Sequence, residues 1–282
     1  MAGFSANAPA SSGNLGPGFD VLALALELRC VCRAQISDSW EIEENGRVKA
    51  AEPTELVVRA VRAAIGERPM RITIENGIPR SRGLGSSSAV SAAAAAAAVR
   101  ALGDEPSDEQ LFALVADLEG HPDNAAAAVY GGLVAAQGAV IRTLPMAESI
   151  RVVVAIPESK LPTRDARAAL PRDVSHAAAA RSVARMAFLL EGLRTGDADP
   201  FRLAGGDELH EVPRTALSPI TGELMATAMD VGALHAAWSG AGPSVIAFTH
   251  HERTEDVITG LKGRLDGAGE VRQLSVATTG WR

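Results

Sequence analysis

The segment Ile78-Pro-Arg-Ser-Arg-Gly-Leu-Gly-Ser-Ser-Ser-Ala89 constrains this chain more than any other, because it runs directly into the alanine stretch Ala92–Ala98. Alanine is the best helix former, so a helix is expected over about Ser87 to Leu102. Upstream, Met70–Glu75 alternates in polarity and reads as a strand. Strand, glycine loop, serines and helix form an arrangement that binds phosphate. Glycines let backbone N–H groups approach an anion, and the helix N-terminus supplies free donors and a favourable dipole. Serine hydroxyls add hydrogen bonds or hold magnesium. The lysine of G-x-x-x-x-G-K-[ST] is missing, and G-x-G-x-x-G fails because only serine and alanine follow Gly85. The plainer alternative is a glycine turn with a serine N-cap.

Two further small-residue segments accompany it. Pro9-Ala-Ser-Ser-Gly-Asn-Leu-Gly-Pro-Gly-Phe-Asp20 reads as a loop with several special backbone angles, a frame that would hold Asn14 and Asp20 rigidly or merely turn the surface chain. Ser239-Gly-Ala-Gly-Pro-Ser244 is either a tight turn between strands or, by likeness to the other two, part of one shared pocket. Between them lies Glu119-Gly-His-Pro-Asp-Asn-Ala125. Glu119 ends a predicted helix, where the dipole disfavours a carboxylate, and a cation ligand is one reason to keep it there. Asp123 or Asn124 reads as a cap for the next helix.

The remaining pattern alternates strands and helices. Strands are expected at Phe4–Ala8, Arg29–Ser37, Arg151–Ile156, Val245–Thr249 and Val271–Ala277, with a hairpin over Leu133–Arg142. Leu22–Leu28 is apolar and ambiguous. Helices are expected at Leu56–Ile65, from Ser107 (with Gln110 completing a capping box) to Leu118, and at Thr163–Leu170, Val174–Leu193, Ile220–Met229 and Thr254–Leu265. The acidic run Glu41–Glu44 reads as an exposed strand end. Such alternation over 282 residues implies an α/β or α+β sandwich of about two domains.

Charge and composition exclude several functions. A net charge of −7 and only ten aromatic residues (Trp 3, Tyr 1, Phe 6) argue against nucleic-acid binding. The alanine run is too short and weakly apolar to span a membrane, and no signal peptide is visible. Cys30 and Cys32, the only cysteines, fall on one face of a strand as core residues, which fits a reducing, cytoplasmic setting. The six histidines show no metal-ligand spacing, and His250-His251 reads as a solvated turn. No G-x-S-x-G elbow supports a hydrolase.

The three small-residue segments, in this order, resemble the motifs of the small-molecule kinases named for galactokinase, homoserine kinase, mevalonate kinase and phosphomevalonate kinase. The middle one, Pro-x-x-x-Gly-Leu-Gly-Ser-Ser-Ser-Ala, is the most specific. Asn14-Leu-Gly-Pro-Gly-Phe-Asp20, Glu119-Gly-His-Pro-Asp-Asn124, Thr163-Arg-Asp-Ala-Arg167 and Leu209-His-Glu-Val-Pro-Arg214 are most similar to the homoserine kinase branch. The mevalonate branch uses a lysine near the first motif, whereas Lys49, Lys160 and Lys262 all lie outside the motifs here.

The resemblance implies an α+β, two-domain fold. Residues 1–150 would form an ATP-binding half and residues 151–282 a C-terminal half. Each half would be a mixed or antiparallel sheet packed with helices, with the active site between them. It implies phosphoryl transfer from ATP to the side-chain hydroxyl of L-homoserine. Asn14 and Asp20 would contact the substrate, Asp20 at its ammonium. Arg167 and Arg214 would hold the carboxylate, with Thr163 and His121 nearby. Pro79, Arg80, Ser81, Arg82, Gly83, Leu84, Gly85, Ser86, Ser87 and Ser88 would wrap ATP, while Ser239, Gly240, Ala241 and Gly242 form the third loop. Ser87 and Glu119 would hold Mg2+, and Asn124 or Asp123 would orient the attacking hydroxyl. A strong base is not obligatory for such a transfer. A homodimer is common among similar enzymes. Departures from the pattern are Gly13, Ala178, Ser182 and Trp238. The rival readings are a kinase of the same fold acting on threonine or another small hydroxy acid, and a catalytically silent ligand sensor.

Overall fold

The computed structural model describes residues 4–282. The chain opens with β1 (Phe4–Gly13), β2 (Leu22–Ile36), β3 (Glu41–Glu44), β4 (Arg47–Ala50), α1 (Leu56–Ile65) and β5 (Met70–Asn76). Next come α2 (Ser86–Ala101), α3 (Asp108–Glu119), α4 (Asp123–Tyr130), β6 (Leu133–Gln137) and β7 (Val140–Leu144). These strands form one seven-stranded sheet in the order β4-β3-β5-β2-β6-β7, with β1 paired to β2. All its pairings are antiparallel except β3 with β5.

The later part holds β8 (Ile150–Pro157), α5 (Thr163–Ala168), α6 (His176–Thr195), α7 (Ala198–Ala204), α8 (Glu211–Arg214), α9 (Pro219–Asp230), β9 (His235–Trp238), β10 (Val245–His250), α10 (Thr254–Leu265) and β11 (Gly269–Leu274). Its four strands form an antiparallel sheet in the order β11-β8-β10-β9. The α+β class, with a mixed sheet followed by an antiparallel one, agrees with the expectation. A continuous apolar core joins the two sheets and includes Ala93, Leu133, Val152, Leu193 and Phe248.

Helix α2 is buried on every side from Ser88 to Ala98. It packs against β1 and β2 as well as α1, α3 and α4. A helix enclosed all round needs no polar face, and methyl side chains let its neighbours approach its axis. Cys30 and Cys32 are both buried on one face of β2, with their sulfurs 3.9 Å apart.

Several local expectations change. Pro9–Gly13 is strand, not loop. The long pairing with β2 outweighs the turn-forming composition, and a register shift at Pro9/Ala10 accommodates proline's missing donor. The ambiguous Leu22–Leu28 is therefore the first half of β2. The Glu41–Glu44 run is an inner strand of the sheet. Ile42 is buried, Arg71 lies 3.6 and 3.5 Å from Glu41 and Glu43, and Arg80 bonds Glu44. Ser107 and Gln110 form the expected capping box. Neither Asp123 nor Asn124 caps α4, however: Pro122 holds that position and both side chains bond elsewhere.

After β11 the chain returns to the first sheet. Ala277 N donates to Ala25 O, and Arg282 and Asn7 exchange backbone bonds. No helix among the described residues is long and apolar enough to cross a membrane.

Candidate active site

The three small-residue segments come together through hydrogen bonds to backbone carbonyls rather than through charge. Ser11 N donates to Leu84 O at 3.1 Å, and Gly240 N to Gly13 O at 2.9 Å. Asn14 Nδ2 donates to Gly240 O at 2.9 Å, and Ser239 Oγ to Gly83 O at 2.7 Å. Such close approach requires glycine at two positions. Gly83 (φ 77°) would drive a β-carbon into the Ser239 carbonyl, and Gly85 (φ 62°) would drive one into Ser11 Oγ. Gly85 also takes the N-cap of α2 in left-handed conformation, so the free N–H groups of the first helical turn open onto the loop.

The loops enclose a cavity of about 420 Å³. Gly83, Gly85 and Ser86–Ser88 line one part of it; Asn14, Asp20, Thr163, Arg167 and Arg214 line another, and the two parts meet at Gly240, whose carbonyl accepts from Asn14 and Arg214. Pro79, Arg80, Ser81 and Leu84 also face it, as do Glu119, His121, Asp123 and Asn124. From the third loop, Gly240 and Ala241 line it, while Ser239 braces Gly83. Arg82 departs from its expected place on the wall. Its guanidinium is tied to the carbonyls of Arg80, Pro157 and Glu158, where it joins the first sheet's loop to β8.

The centre of the cavity carries three linked pairs. Ser87 Oγ donates to Glu119 Oε2 at 2.9 Å. Burial, partly offset by that hydrogen bond, raises the Glu119 pKa. His121 Nδ1 lies 2.8 Å from Asp123 Oδ1. Burial works against the imidazolium, yet the Asp123 bond and charge outweigh it, and the His121 pKa is raised. Ser11 Oγ donates to Asn124 Oδ1 at 2.8 Å, fixing the amide so that its NH2 group is a donor. The departure at Gly13 has a steric meaning: a β-carbon there would sit 2.6 Å from Asp123 Oδ2 and 2.8 Å from Asn124 Nδ2.

The second part is cationic. Arg167 makes two bonds to the Asp20 carboxylate, at 2.6 and 3.1 Å. Arg214 is buried and bonds Ala166 O, Gly240 O and His210 Nδ1, all through Nε and Nη1, with no carboxylate among these partners. Burial, then repulsion from Arg167, lowers its pKa to about 10, so it stays charged at neutral pH. Behind it, His210 is buried and titrates at about 4, chiefly through desolvation. Its neutral ring donates from Nε2 to Gly16 O at 2.8 Å, leaving Nδ1 to accept from Arg214. Phe19 stacks on His210, and its ring centre lies 5.8 and 5.7 Å from the Arg167 and Arg214 guanidiniums.

Sequence reasoning missed Phe19 and His210 as supports, although both stand inside motifs it quoted. It also missed the apolar wall beside the phosphate loop, made by Ile42, Leu56, Val57, Ile74 and Val90. No motif marks that wall, which β3, α1, β5 and α2 assemble from separate segments. Of the other departures, Ala178 is buried, Ser182 Oγ reaches Pro17 O at 3.5 Å, and Trp238 packs with Leu161 and Ala166 behind α5.

The donor set suits magnesium carried in with phosphate. Ser87 and Glu119 offer hard oxygen ligands on adjoining helix ends. Among the described residues, no cluster of three or more His, Cys, Asp or Glu side chains would hold a metal alone.

A glycine cradle at a helix N-terminus, opening onto a second pocket with paired arginines, defines a small-molecule phosphotransferase. The comparisons with known proteins give the same class. Residues 52–132 match the GHMP kinases N-terminal domain and residues 189–266 the GHMP kinases C-terminal family. The chain belongs to the GHMP kinase family. Its relatives include homoserine kinase of Deinococcus radiodurans, 37% identical over 95% of this chain and 96% of that protein. Homoserine kinase of Thermus thermophilus is 38% identical over 95% and 94%. The solved homoserine kinase of Cytophaga hutchinsonii superposes with a TM-score of 0.86 at 25% identity, covering 100% of this chain and 97% of that one.

Proposed function

We propose that this chain is a homoserine kinase, moving the γ-phosphoryl group of ATP to the side-chain hydroxyl of L-homoserine to give O-phospho-L-homoserine and ADP. The observation that carries the reading is one cavity lined both by the glycine-serine loop at the α2 N-terminus and by an Asp20–Arg167–Arg214 cluster. An amino acid carries both charges, and such a cluster complements both. Close homoserine kinase relatives over nearly the whole chain support the same substrate.

In this reading the adenine rests on the Ile42–Leu56–Val57 wall, and the phosphates lie along Gly83–Ser88. Backbone N–H groups there are already oriented, so little reorganisation accompanies phosphate binding. Ser87 and Glu119 hold magnesium, which when bound neutralises charge on the phosphates. Arg214 and Arg167 take the substrate carboxylate, Asp20 takes the ammonium, and Asn14 and Thr163 border the same pocket. That grip directs the hydroxyl back toward His121, Asp123 and Asn124 at the cavity centre. Asn124, held by Ser11, donates to the hydroxyl oxygen and leaves one lone pair aimed at phosphorus; as the new O–P bond forms, the bond from the γ-phosphorus to the β,γ-bridging oxygen breaks, ADP leaves, and the hydroxyl proton passes to an oxygen of the transferred phosphoryl group. Catalysis then rests on alignment and charge stabilisation. The reading also takes residues 1–150 and 151–282 as the two halves, the cytoplasm as the setting, and a homodimer as the assembly that size-exclusion chromatography would report.

ADP release from Mg·ATP, measured with L-homoserine, L-threonine, L-serine and mevalonate against a blank, tests the proposal. Release with L-homoserine well above the others is expected. Release only with another acceptor would move the reading to a sister kinase, and ATP binding without release to a sensor.

A further inference from the structure

The groups that should meet the two charges of the substrate already meet each other. Arg167 Nη2 and Nη1 lie 2.6 and 3.1 Å from the two Asp20 oxygens, a bidentate pair spanning 147 positions of sequence. Both side chains line the cavity and are about one-third exposed, at 35% and 32%. Asp20 is held in position by its backbone: φ is 54°, and its N–H donates to Asn14 Oδ1 at 3.0 Å. Arg167 is held by the Phe19 ring below it. Arg214, whose guanidinium also lies over that ring, has no carboxylate among its hydrogen-bond partners in the described residues.

We propose that the Asp20–Arg167 ion pair is an internal gate that makes the acceptor pocket selective for zwitterions. The inference rests on the homoserine reading above and deepens it.

In the free protein each charge serves as the other's counter-ion. A ligand that parts them must supply replacements for both. An amino acid does so at once, its ammonium replacing Arg167 at Asp20 and its carboxylate replacing Asp20 at Arg167 and adding a partner for Arg214. A hydroxy acid without the amine supplies only the anion. It leaves Asp20 stripped of its cation and facing a second carboxylate. An amino alcohol without the carboxylate strands Arg167 beside Arg214 in the same way. Removing one member of the pair should therefore favour the analogue that lacks the matching charge, the opposite of what loss of an ordinary binding residue does.

The substitutions are Asp20→Asn and Arg167→Gln. Asparagine tolerates the left-handed backbone at position 20, so the loop can persist. For Asp20→Asn, kcat/KM for 4-hydroxybutanoate should rise about fivefold while that for L-homoserine falls by roughly a hundredfold. For Arg167→Gln, 3-aminopropan-1-ol should improve by a similar factor. A gain of about fivefold is the scale of a part-exposed ion pair. Titration calorimetry of the same ligands reads the gate without turnover. In ligand-free protein the two substitutions should be non-additive in denaturant midpoint. Unchanged or weaker use and binding of both analogues, or strict additivity, would overturn the gate. If the unaltered protein binds L-homoserine but does not phosphorylate it, the function reading fails while calorimetry still decides the gate.

Discussion

Where the proposal puts the phosphates, the groups lining the cavity come largely from one stretch, residues 79–88 apart from Arg82, followed by Glu119. Where it puts the acceptor they come from separate segments: Asn14 and Asp20, Thr163 and Arg167, Arg214, and Gly240–Ala241. The first end uses backbone N–H groups and glycines, with the helix itself as scaffold. The second uses long charged side chains, each steadied by a neighbour: Phe19 under both arginines, His210 on Arg214, Asp20 on Arg167. Backbone recognition suits the phosphates of ATP, which any kinase of this family must hold. Side-chain recognition can be retuned one residue at a time, which suits the acceptor. Damage at the first end should therefore lower turnover with every acceptor, and damage at the second should act on the amino acid alone.

The sharpest break is Glu119→Gln. It keeps the side-chain shape and the neighbour of Ser87 but removes the anion. Turnover should fall by roughly a thousandfold with every acceptor, while the thermal midpoint stays level or rises, because the removed charge is half-buried and partly desolvated. Steady-state kinetics beside a melting curve measure both.

Gly83→Ala ranks next. Its β-carbon would strike the Ser239 carbonyl in a backbone conformation that disfavours side chains. A loss of about 2–4 kcal/mol in stability and weaker nucleotide binding are expected, read by denaturation and by calorimetry with an ATP analogue.

Arg214→Gln should leave the KM for ATP within about twofold and raise that for L-homoserine by roughly a hundredfold, the scale of a lost charge-assisted pair. Equal changes in both constants would show that the two ends are not separable.

The smallest effect is on stability against pH. His210 and His235 titrate at about 4 in the folded chain, mainly through burial, against 6.5 when exposed. A depressed folded value means stability present above pH 6.5 and lost as pH falls toward 4. Glu211 is raised to about 8 by burial, so its contribution is full below 4.5 and lost as pH rises through 8. These three groups together place the stability optimum near pH 6.5. Replacing Glu211 with Gln should flatten the alkaline side, which urea titrations at several pH values would show.

The same contrast explains what could be read in the sequence. The phosphate loop was legible because one contiguous segment encodes both its backbone angles and its helix. The alanine helix, the capping box at Ser107 and the paired cysteines of β2 were legible for the same reason. Pro9–Gly13 has the composition of a loop, yet a partner strand and not local composition decides its conformation. The acceptor residues were placed through family resemblance, since no local rule joins Asp20 to Arg167 across 147 positions. Phe19 and His210 act by touching the arginines, a relation that exists only after folding. The apolar wall needs two strands and two helices to converge before it exists at all.

The most direct measurement is 31P NMR of the protein with Mg·ATP and L-homoserine. The account predicts a new phosphomonoester signal, that of O-phospho-L-homoserine, growing in equal amount with ADP. ADP accompanied by inorganic phosphate alone, or no change in the ATP signals while homoserine is bound, would contradict it.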